Sequence, residues 1–507
     1  EAFAEEIGNV EPAYRDSARN LLHYLSVRQH DIRDLQMDLA SLGLSSLGVL
    51  EPNVLASLNA VIGILERLTG QQHGVAPEPP VDFRTGPLLL RDHARSLLGP
   101  EPRNRSVRIM VTMPSAAASD ARLVQDLLVA GMDVMRINCA HDGPEQWAAM
   151  VENLRQAERT VGRSCKVQAD LAGPKLRTGH LVPAGHVLKI KPQRDIRGKV
   201  IAPGQVWLTP SGAEEPAPDN IGIAIPVDGE VLDALRSGDY LQISDPRDKP
   251  RALAIVGEAG QSRIGAASRG TYIAAGARVE ALRKGKSLAK GRIGSLPAVV
   301  LPITLFPNDV LVLTREDEPG RDAVRDEEGK LVEPARIHCT LSAAFEQAKA
   351  GQSVWFDDGR IGGIVKDNDG KSIRVEITHT RPTGAKLRAE KGINFPDTDF
   401  DLPALTEKDR RDLEQVVEFV DMVALSFLRT AEDVNLLEDE LSRHGADHVG
   451  VVLKIENRQA FENLPRILLT SLRSPPVGVM VARGDLAVEV GFERLSEVQE
   501  EILWLCE

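Results

Sequence analysis

Two parts of the chain alternate short apolar runs with longer amphipathic stretches, and this pattern predicts a parallel β-sheet flanked by helices. Each run has the length of a buried strand, and the stretches between runs carry apolar residues at i, i+3 and i+4. The predicted strands are Val107–Thr112, Asp133–Asn138, Ser164–Asp170, Asp421–Leu425, Val449–Leu453 and Val477–Ala482. The predicted helices between them include Asp120–Ala130, Pro144–Thr160 and Ala460 to about Leu472. Strands that alternate with helices are typical of an α/β fold.

The beginning of the chain carries a helical pattern of its own. Helices are predicted over Ala13–Val27, His30–Leu42 and Val54–Leu68, where apolar residues recur at helical spacing. We interpret residues 1–75 as a separate α-helical N-terminal domain with a packing or oligomerisation role. Residues 76–105 are rich in proline and arginine and are predicted to form a linker.

Residues 181–395 show a third pattern. Their apolar runs are short, alternate with polar residues and are separated by Gly, Pro and Asp, which is typical of β-structure. Gly238–Asp245 parallels Gly351–Asp358, and Ala275–Val279 parallels Thr383–Leu387, both at a spacing of about 110 residues. We therefore predict an all-β insert that contains an internal duplication.

Length, charge and cysteine content restrict the classes of function. A chain of 507 residues exceeds the size of a single core and predicts about three domains. The net charge of −13 argues against nucleic acid or an anionic membrane as the main partner, although local Arg and Lys can still bind a phosphorylated substrate. Four scattered cysteines without a CxxC pair predict a reduced, cytoplasmic protein. No apolar run reaches the ~18 residues of a membrane span, and no signal peptide is recognisable.

Charged residues stand at the carboxyl ends of two neighbouring predicted strands. Lys454 and Glu456 end the first run, and Asp485 follows the second. The carboxyl ends of parallel strands form the rim at which α/β proteins carry out their chemistry. Two carboxylates and a cation at one rim predict a hard metal ion that holds an anionic substrate. The structural alternative is an ion pair between Lys454 and Glu456, or a carboxylate that caps a helix.

These residues stand in motifs that resemble the pyruvate kinase family. Lys454-Ile455-Glu456-Asn457 is similar to the family's K-I-E-N, and Met480–Glu489 is similar to its M-V-A-R-G-D-L-G-V-E. Further similar segments, in the family's order, are Asp133–His141, Asp170–Gly179, Val354–Gly359, Lys391–Asn394, Asp401–Ala404 and Ala424–Arg429. The resemblance covers roughly residues 107–179 and 343–507, and its specificity comes from several motifs in the same order.

The resemblance implies a (β/α)8 TIM-type barrel interrupted by an all-β lid. The first part of the barrel would span residues 106–180, the lid residues 181–395 and the second part residues 396–507. Six parallel strands cannot close as an eight-stranded barrel, and the chain stops inside what would be the sixth helix. We therefore expect this chain to be a fragment without turnover of its own, and a longer natural chain to be active.

The resemblance also implies an activity, the transfer of the phosphoryl group of phosphoenolpyruvate to ADP in glycolysis. It makes Lys454 and Arg136 the catalytic residues, and Glu456 and Asp485 the ligands of Mg²⁺ or Mn²⁺. The substrate pocket would contain Ser426, Phe427, Arg483 and Gly484. The nucleotide side would contain Thr112, Pro114, His141, Arg177, Asp358 and Lys391. The expected partners are phosphoenolpyruvate and ADP or ATP, and the protein is expected to form a homo-oligomer.

The predicted monovalent-cation site departs from the family pattern. The family uses an Asn, a Ser and an Asp, of which this chain keeps Asn138 and Asp170 but has Ala140 in place of Ser. Lys175 stands where potassium-dependent members have Glu. Members with Lys at this position generally work without potassium, so we predict a potassium-independent site in which the Lys175 ammonium replaces the ion.

Two other functions stay open. The altered cation site and a first loop shortened to Thr112-Met113-Pro114-Ser115 would suit a non-catalytic protein that senses phosphoenolpyruvate or a nucleotide. The barrel and metal site would also suit a metal-dependent lyase or aldolase that acts on a pyruvate-like enolate. Such an enzyme would have no use for Arg177, Asp358 and Lys391. Turnover separates the kinase from the sensor, and nucleotide binding separates the kinase from the lyase.

Overall fold

The fold is described from a computed structural model, which describes residues 4–71, 74–213, 217–218, 221–246, 249–474 and 476–507. The helices are α1 (Ala4–Asn9), α2 (Arg15–Arg28), α3 (Arg33–Ser41), α4 (Val54–Thr69), α5 (Thr85–Leu98), α6 (Ala121–Ala130), α7 (Pro144–Val161), α8 (Gly229–Ala234), α9 (Ala343–Gln347), α10 (Glu407–Val416), α11 (Ala431–Arg443), α12 (Arg458–Glu462), α13 (Leu464–Ser471), α14 (Arg483–Val490) and α15 (Leu495–Cys506). Within the described ranges, none of these helices is long and apolar enough to cross a membrane.

The strands are β1 (Met110–Thr112), β2 (Val134–Asn138), β3 (Lys166–Asp170), β4 (Val187–Ile190), β5 (Gln193–Arg194), β6 (Val200–Ala202), β7 (Gly204–Pro210), β8 (Ala224–Val227), β9 (Tyr240–Ser244), β10 (Pro250–Ala259), β11 (Ser262–Ala267), β12 (Thr271–Ala274), β13 (Arg278–Arg283), β14 (Lys286–Arg292), β15 (Ile303–Leu305), β16 (Val310–Thr314), β17 (Val324–Arg325), β18 (Leu331–Glu333), β19 (Ala335–His338), β20 (Ser353–Phe356), β21 (Ile361–Asn368), β22 (Ser372–His379), β23 (Ala385–Leu387), β24 (Ile393–Asn394), β25 (Met422–Leu425), β26 (Gly450–Ile455) and β27 (Val477–Val481).

A six-stranded parallel sheet carries the charged motifs. Its strands lie side by side in the order β1, β2, β3, β25, β26 and β27, and every neighbouring pair is parallel. These strands fall within the six predicted apolar runs or extend them by two residues, so the predicted parallel α/β sheet is confirmed. The chain leaves the sheet after β3 and returns to the position beside it with β25.

The two sides of this sheet have different roles, because alternate residues of a strand point to opposite sides. On one side Val423, Val451 and Leu453 are buried in the main hydrophobic core with the surrounding helices. We call the other side the inner face; it carries Met110, Thr112, Val134, Arg136, Asn138, Gln168, Asp170, Met422, Ala424, Val452, Lys454, Gly478 and Met480. Apart from Lys166, the inner face is apolar towards the amino ends of the strands, and it is charged towards their carboxyl ends.

The structure has a helix where the sequence predicted a linker over residues 76–105. Leu97 of α5 is buried against the apolar part of the inner face, in a cluster with Val134 and other residues of the sheet. Gly450 and Gly478 leave room for this side chain, since a Cβ at either position would overlap with it. The linker prediction is therefore wrong for α5, because the apolar face of this helix is stabilised by a distant sheet that the local composition does not reveal.

The N-terminal helices belong to the same compact unit as the parallel sheet. The predicted helices are present as α2, α3 and α4. Their contacts differ from the prediction, since Val10, Tyr14, Ala18 and Leu21 are buried in the main core. The backbone N–H of Glu11 also donates to the Leu472 carbonyl at 3.1 Å. Residues 1–75 therefore do not form the separate domain that we expected, because their apolar face packs against the helices of the sheet.

The β-rich insert contains a seven-stranded and a six-stranded sheet, which share their strand order over six strands. The first runs β8, β7, β11, β10, β9, β13, β14, and the second runs β19, β16, β22, β21, β20, β24. In each sheet the first pair is parallel and the following pairs are antiparallel. Each copy also has a two-stranded sheet, formed by β4 and β12 in the first copy and by β15 and β23 in the second. A repeated topology is what the predicted duplication requires.

The sheets correct the second of the two matched segments. Ile243 pairs with Val279, and Phe356 pairs with Ile393 at the same place in the other sheet. Because Ile243 and Phe356 correspond in the first match, Val279 corresponds to Ile393 and not to Leu387. That match is wrong by six residues, the separation of Leu387 from Ile393. Similar glycine turns precede two successive strands of each copy, which explains the slip.

The insert does not form one unit. Residues 180–303 and 319–322 form a compact unit with its own core, which includes Leu241 and Leu253. Residues 304–318 and 323–395 belong to the unit that contains the parallel sheet. This division differs from the single lid that we predicted over residues 181–395, because the strands of the second copy pair among themselves and belong to the unit of the parallel sheet.

Candidate active site

The carboxyl ends of the parallel strands line a cavity of about 310 Å³. The predicted site residues that line this charged cavity are Arg136, Asn138, Lys175, Arg177, Ser426, Phe427, Lys454, Glu456, Arg483, Gly484 and Asp485. A larger cavity of about 560 Å³ beside α5 is lined mainly by apolar side chains and by none of these residues. We place the chemistry in the charged cavity, at the end of the sheet where parallel α/β proteins have their sites.

Lys454 is the centre of the charged cluster. Its Nζ lies 2.8 Å from Ser426 Oγ, 3.0 Å from Glu456 Oε1 and 3.4 Å from Asp170 Oδ2. Only 7% of Lys454 is exposed, and an ammonium at such depth needs partners of opposite charge. The ion pair that we named as the structural alternative is therefore present. The same contacts hold the ammonium at the wall of the cavity.

Arg136 is fixed from two sides. Its Nε and Nη2 donate to Asp170 Oδ2 at 2.9 and 2.6 Å, and its Nη1 donates to Thr112 Oγ1 at 2.8 Å. Gln168, which the sequence interpretation missed, donates from Nε2 to Asp170 Oδ1 at 2.6 Å. The signal for Gln168 was a polar residue inside a buried strand, two positions before Asp170 and hence on the same face. Thr112 was assigned to the nucleotide side, and here its hydroxyl supports Arg136.

The ammonium of Lys175 lies at Asp485. It contacts the two carboxylate oxygens at 2.8 and 3.0 Å, and it stands 5.3 Å from the centre of the Phe427 ring. Asp170 instead accepts hydrogen bonds from Arg136 and Gln168 and forms an ion pair with Lys454. The structure therefore brings Lys175 into the same cavity as the predicted cation site, but beside a predicted divalent-metal ligand.

The carboxylates of Glu456 and Asp485 fit a hard divalent cation. Glu456 Oε2 accepts a hydrogen bond from the backbone N–H of Phe427 at 2.8 Å, and Asp485 lies in the first turn of α14. The pKa of Glu456 is raised above its ordinary value, mainly because the side chain is buried. Lys454 opposes this shift, and the nearby Asp485 adds to it. Within the described ranges, no group of three or more His, Cys, Asp or Glu residues could hold a metal. Mg²⁺ commonly takes one or two carboxylates and completes its shell with substrate and water, so two protein carboxylates would suffice for such an ion.

The residues predicted for the nucleotide side are divided between two places. Thr112, Pro114 and His141 line a smaller cavity of about 180 Å³, while Arg177 lines the charged cavity. The backbone N–H of Lys391 donates to Thr178 Oγ1 at 2.9 Å, in the strand-like segment that follows Arg177. The structure therefore brings Thr112, Pro114 and His141 together and places Arg177 in a different cavity.

The acidic partner of Lys391 is Asp357. Lys391 Nζ lies 2.8 Å from Asp357 Oδ1, and Asp357 is buried while Asp358 is exposed. Both aspartates have a left-handed backbone, with φ of 51° and 54°. This tight turn therefore directs Asp357 to Lys391, and the assignment of Asp358 to the nucleotide side stays a prediction.

A glycine behind the cavity allows two loops to approach each other closely. Gly173 has a φ of +66°, and a Cβ at this position would lie 2.7 Å from the Ser426 carbonyl oxygen. Its backbone N–H donates to Asp409 Oδ1 at 3.2 Å. Asp409 also forms a capping box with Thr406 at the start of α10. The loop that carries Lys175 is thus anchored directly beside the loop of Ser426.

A comparison with protein families gives one match. A family model described as pyruvate kinase, barrel domain, matches residues 104–201 and 322–507, which together are more than half of the chain. The matched residues contain the strands of the parallel sheet and every residue that lines the charged cavity.

Curated relatives resemble this chain over limited lengths. Pyruvate kinase of Clostridium perfringens is 36% identical over 171 residues, 33% of this chain and 34% of that protein. Pyruvate kinase of Bacillus licheniformis is 31% identical over 245 residues, 47% of this chain and 40% of that protein. Pyruvate kinase 1 of Saccharomyces cerevisiae is 34% identical over 199 residues, 39% of this chain and 36% of that protein. The chain thus matches between a third and two fifths of the length of these relatives.

Proposed function

The chain belongs to the pyruvate kinase family, and from this premise we propose that it transfers the phosphoryl group of phosphoenolpyruvate to ADP, which yields pyruvate and ATP. The observation that carries the proposal is the cluster at Lys454, whose ammonium is held by Glu456 and Asp170 at the wall of the charged cavity. Phosphoryl transfer depends on positioning and on cations around the transferring group. Lys454 and Arg136 supply such cations on rigid strands.

Glu456 and Asp485 are the residues that would hold Mg²⁺ or Mn²⁺. When bound, such an ion neutralises charge on the substrate oxygens and on the transferring group. In the structure, Lys454 contacts Glu456 and Lys175 contacts Asp485. Each carboxylate is therefore already held at the cavity by a cation of the chain.

The residues of the chain bind and orient the substrate. The Arg136 guanidinium, held by Asp170, would bind phosphoryl oxygens through its N–H groups. The Lys454 ammonium would stabilise the negative charge that develops on the enolate oxygen as the phosphoryl group leaves. The substrate carboxylate would meet the first turn of α14 at Arg483 and Gly484, because N–H groups there have no intrahelical acceptor.

ADP would enter from the side of Arg177 and Lys391. Arg177 lines the charged cavity, and Lys391 is oriented by its ion pair with Asp357. The smaller cavity at Pro114 and His141 is the place that we assign to the rest of the nucleotide. Ser426 and Phe427 would close the substrate pocket from the opposite wall.

We also propose that turnover requires no potassium. Asp170 is satisfied by donors of the chain, and Lys175 adds a positive charge to the same cavity. Turnover in potassium chloride and in tetramethylammonium chloride should therefore agree within about twofold, a difference of less than 0.5 kcal/mol. Activation by potassium of tenfold or more would contradict this part of the proposal.

The proposal includes the architecture that the resemblance implies. The six parallel strands would be part of a (β/α)8 barrel, and the two repeated sheets would be copies of an inserted lid. The protein would act in the cytoplasm as a homo-oligomer. Size-exclusion chromatography with light scattering of the natural full-length protein would test the oligomer.

The test of the activity is pyruvate formation from phosphoenolpyruvate and ADP with Mg²⁺, measured on the natural full-length protein. Lys454→Met and Asp485→Ala should each lower turnover by about a thousandfold or more, since each removes charge stabilisation at the reacting group. Lys366→Met is the matched control, because Lys366 is exposed and forms its ion pair with Glu376, away from the charged cavity.

The other functions predict different results. Mg²⁺-dependent binding of phosphoenolpyruvate without turnover would identify a sensor. Turnover of a pyruvate-like enolate without nucleotide binding would identify a lyase or aldolase. The altered cation site favours the sensor, whereas the complete set of Arg136, Lys454, Glu456 and Asp485 in one cavity favours the kinase.

A further inference from the structure

Gln168 lies directly beneath the charged cluster on the inner face. It is fully buried, and its Nε2 donates to Asp170 Oδ1 at 2.6 Å. The sheet register places Thr112, Arg136 and Gln168 in one row across three neighbouring strands. Asp170 lies in the next row towards the carboxyl ends of the strands. The guanidinium of Arg136 and the amide of Gln168 both donate to its carboxylate.

The contacts of Asp170 divide its two oxygens between different donors. Oδ2 accepts two hydrogen bonds from Arg136 and lies 3.4 Å from the Lys454 ammonium. Oδ1 accepts a hydrogen bond from Gln168. Only 1% of Asp170 is exposed. A buried carboxylate oxygen that loses its donor must acquire another donor, a proton or a cation. Gln168 therefore satisfies an oxygen that would otherwise attract a ligand from solution.

The orientation of the Gln168 amide supports this role. A carboxylate accepts hydrogen bonds, so the NH₂ group must face Asp170 and Oε1 must face away. Oε1 has no hydrogen-bond partner among the described residues, and Gln168 lines the apolar cavity beside α5. A buried acceptor without a partner is costly, whereas a hydrogen bond to a charged group is strong. In this orientation the Gln168 amide donates to Asp170, and its Oε1 is left without a hydrogen bond among the described residues.

We infer that Gln168 is a positioning residue for Asp170, which it holds in the rotamer that fixes Arg136, and that its amide takes the place of a monovalent cation at Oδ1. This inference rests on the proposed function, and it deepens the proposed independence from potassium. Lys175 supplies charge to the cavity from Asp485, whereas Gln168 occupies the carboxylate oxygen itself. Lys175 therefore replaces the positive charge of a cation, and Gln168 replaces its contact with the carboxylate oxygen.

The experiment compares wild type, Gln168→Met and Met422→Leu in the natural full-length protein. Methionine keeps the length of the glutamine side chain but has no N–H donor. Met422 is the matched control, because it is the register partner of Gln168 on the next strand and is apolar. Crystals of each protein in rubidium chloride would be measured for anomalous scattering at Asp170.

Only Gln168→Met should show rubidium at Asp170 Oδ1. In medium without potassium or rubidium, the same variant should lose about tenfold to a hundredfold in kcat/KM for phosphoenolpyruvate, the range expected for one hydrogen bond to a charged group. The KM for ADP should change less, since Arg136 faces the phosphoryl donor. Potassium should restore the variant and leave wild type and Met422→Leu unchanged.

Several outcomes overturn the inference. Rubidium at Asp170 in wild type would show that the amide does not exclude a cation, and no rubidium in the variant would show that Oδ1 does not attract one. If Gln168→Met does not fold, Gln168→Leu provides the same comparison. If wild type forms no pyruvate, the proposed activity fails, while the rubidium density still decides the role of Gln168.

Discussion

The ammonium of Lys175 contacts both carboxylate oxygens of Asp485, at 2.8 and 3.0 Å. Both side chains are 17% exposed, and the ammonium lies 5.3 Å from the centre of the Phe427 ring. A residue that we expected to replace a monovalent cation thus neutralises a carboxylate that we expected to bind a divalent one. A divalent ion at Asp485 would have to share this carboxylate with Lys175 or displace it.

Lys175→Met should therefore bind a divalent cation more tightly in the absence of substrate. Removal of one positive charge next to Asp485 should strengthen Mn²⁺ binding about threefold to tenfold, or roughly 0.7–1.4 kcal/mol. Electron paramagnetic resonance of free Mn²⁺ would measure the dissociation constant. Lys366→Met, which removes an exposed lysine elsewhere, should leave it unchanged. Equal Mn²⁺ affinity in wild type and Lys175→Met would show that the ion does not use Asp485.

Thr112→Val tests which substrate the Thr112 hydroxyl serves. The hydroxyl accepts from Arg136 Nη1 at 2.8 Å, so its loss should loosen Arg136 and raise the KM for phosphoenolpyruvate about threefold to tenfold. The KM for ADP should stay within twofold. Thr160→Val is the control, because that hydroxyl lies at an exposed position of α7 and donates to the Gln156 carbonyl, away from the cavity. If Thr112→Val changes the KM for ADP more than the KM for phosphoenolpyruvate, Thr112 serves the nucleotide, as the sequence predicted.

The sequence predicted the parts of the site that lie on one strand or directly after it. Lys454 lies on β26 and Glu456 directly follows the last residue of this strand, so the period of a strand puts both on the inner face. The order of parallel strands then brings them near Asp170 and Arg136. These relationships depend on local pattern and on a regular topology, which a single sequence contains.

Contacts between distant loops and helices were not predictable in the same way. Lys175 and Asp485 are 310 positions apart, and no local pattern pairs them. The choice between Asp357 and Asp358 depends on the backbone of one turn. The helix α5 is stabilised by a sheet whose strands lie before and after the insert. Each of these features is decided by tertiary packing, which outweighs local propensity.

The contact between Leu97 and Gly478 gives a test of the helix that replaced the predicted linker. Leu97→Ala should lower the free energy of unfolding by about 2–4 kcal/mol, because it leaves a cavity against the inner face. Gly478→Ala should cost about 1–3 kcal/mol, since its methyl group would overlap with Leu97. The double variant should lose at least about 1 kcal/mol less than the sum, because the new methyl group fills the space.

Urea unfolding of the natural full-length protein would measure this coupling. Gly63→Ala in α4 is the control, because its Cβ would meet no atom within 4 Å. It should stabilise the helix by about 0.5–1 kcal/mol and show no coupling to Leu97→Ala. Strict additivity of Leu97→Ala and Gly478→Ala would show that α5 does not pack on the sheet.

Glu438 on α11 should make stability depend on pH. Burial raises the pKa of Glu438 to about 7, against an ordinary value of 4.5; Arg473 lowers it and Asp439 raises it. Between these two values the folded protein keeps a proton that the unfolded chain has released. The contribution of this carboxyl group to stability therefore falls as the pH rises from about 4.5 to 7, and it stays low at higher pH.

Glu438→Gln should remove this dependence, because the amide stays neutral at every pH. Relative to wild type, the variant should gain about 1–2 kcal/mol at pH 8, a value that allows for the partial exposure of the side chain, and little at pH 4.5. Thermal unfolding at the two pH values would measure the difference. Glu414→Gln, at an exposed position of α10, should give the same small change at both. An equal gain for Glu438→Gln at pH 4.5 and pH 8 would mean that the pKa of the carboxyl group is the same in the folded protein and in the unfolded chain.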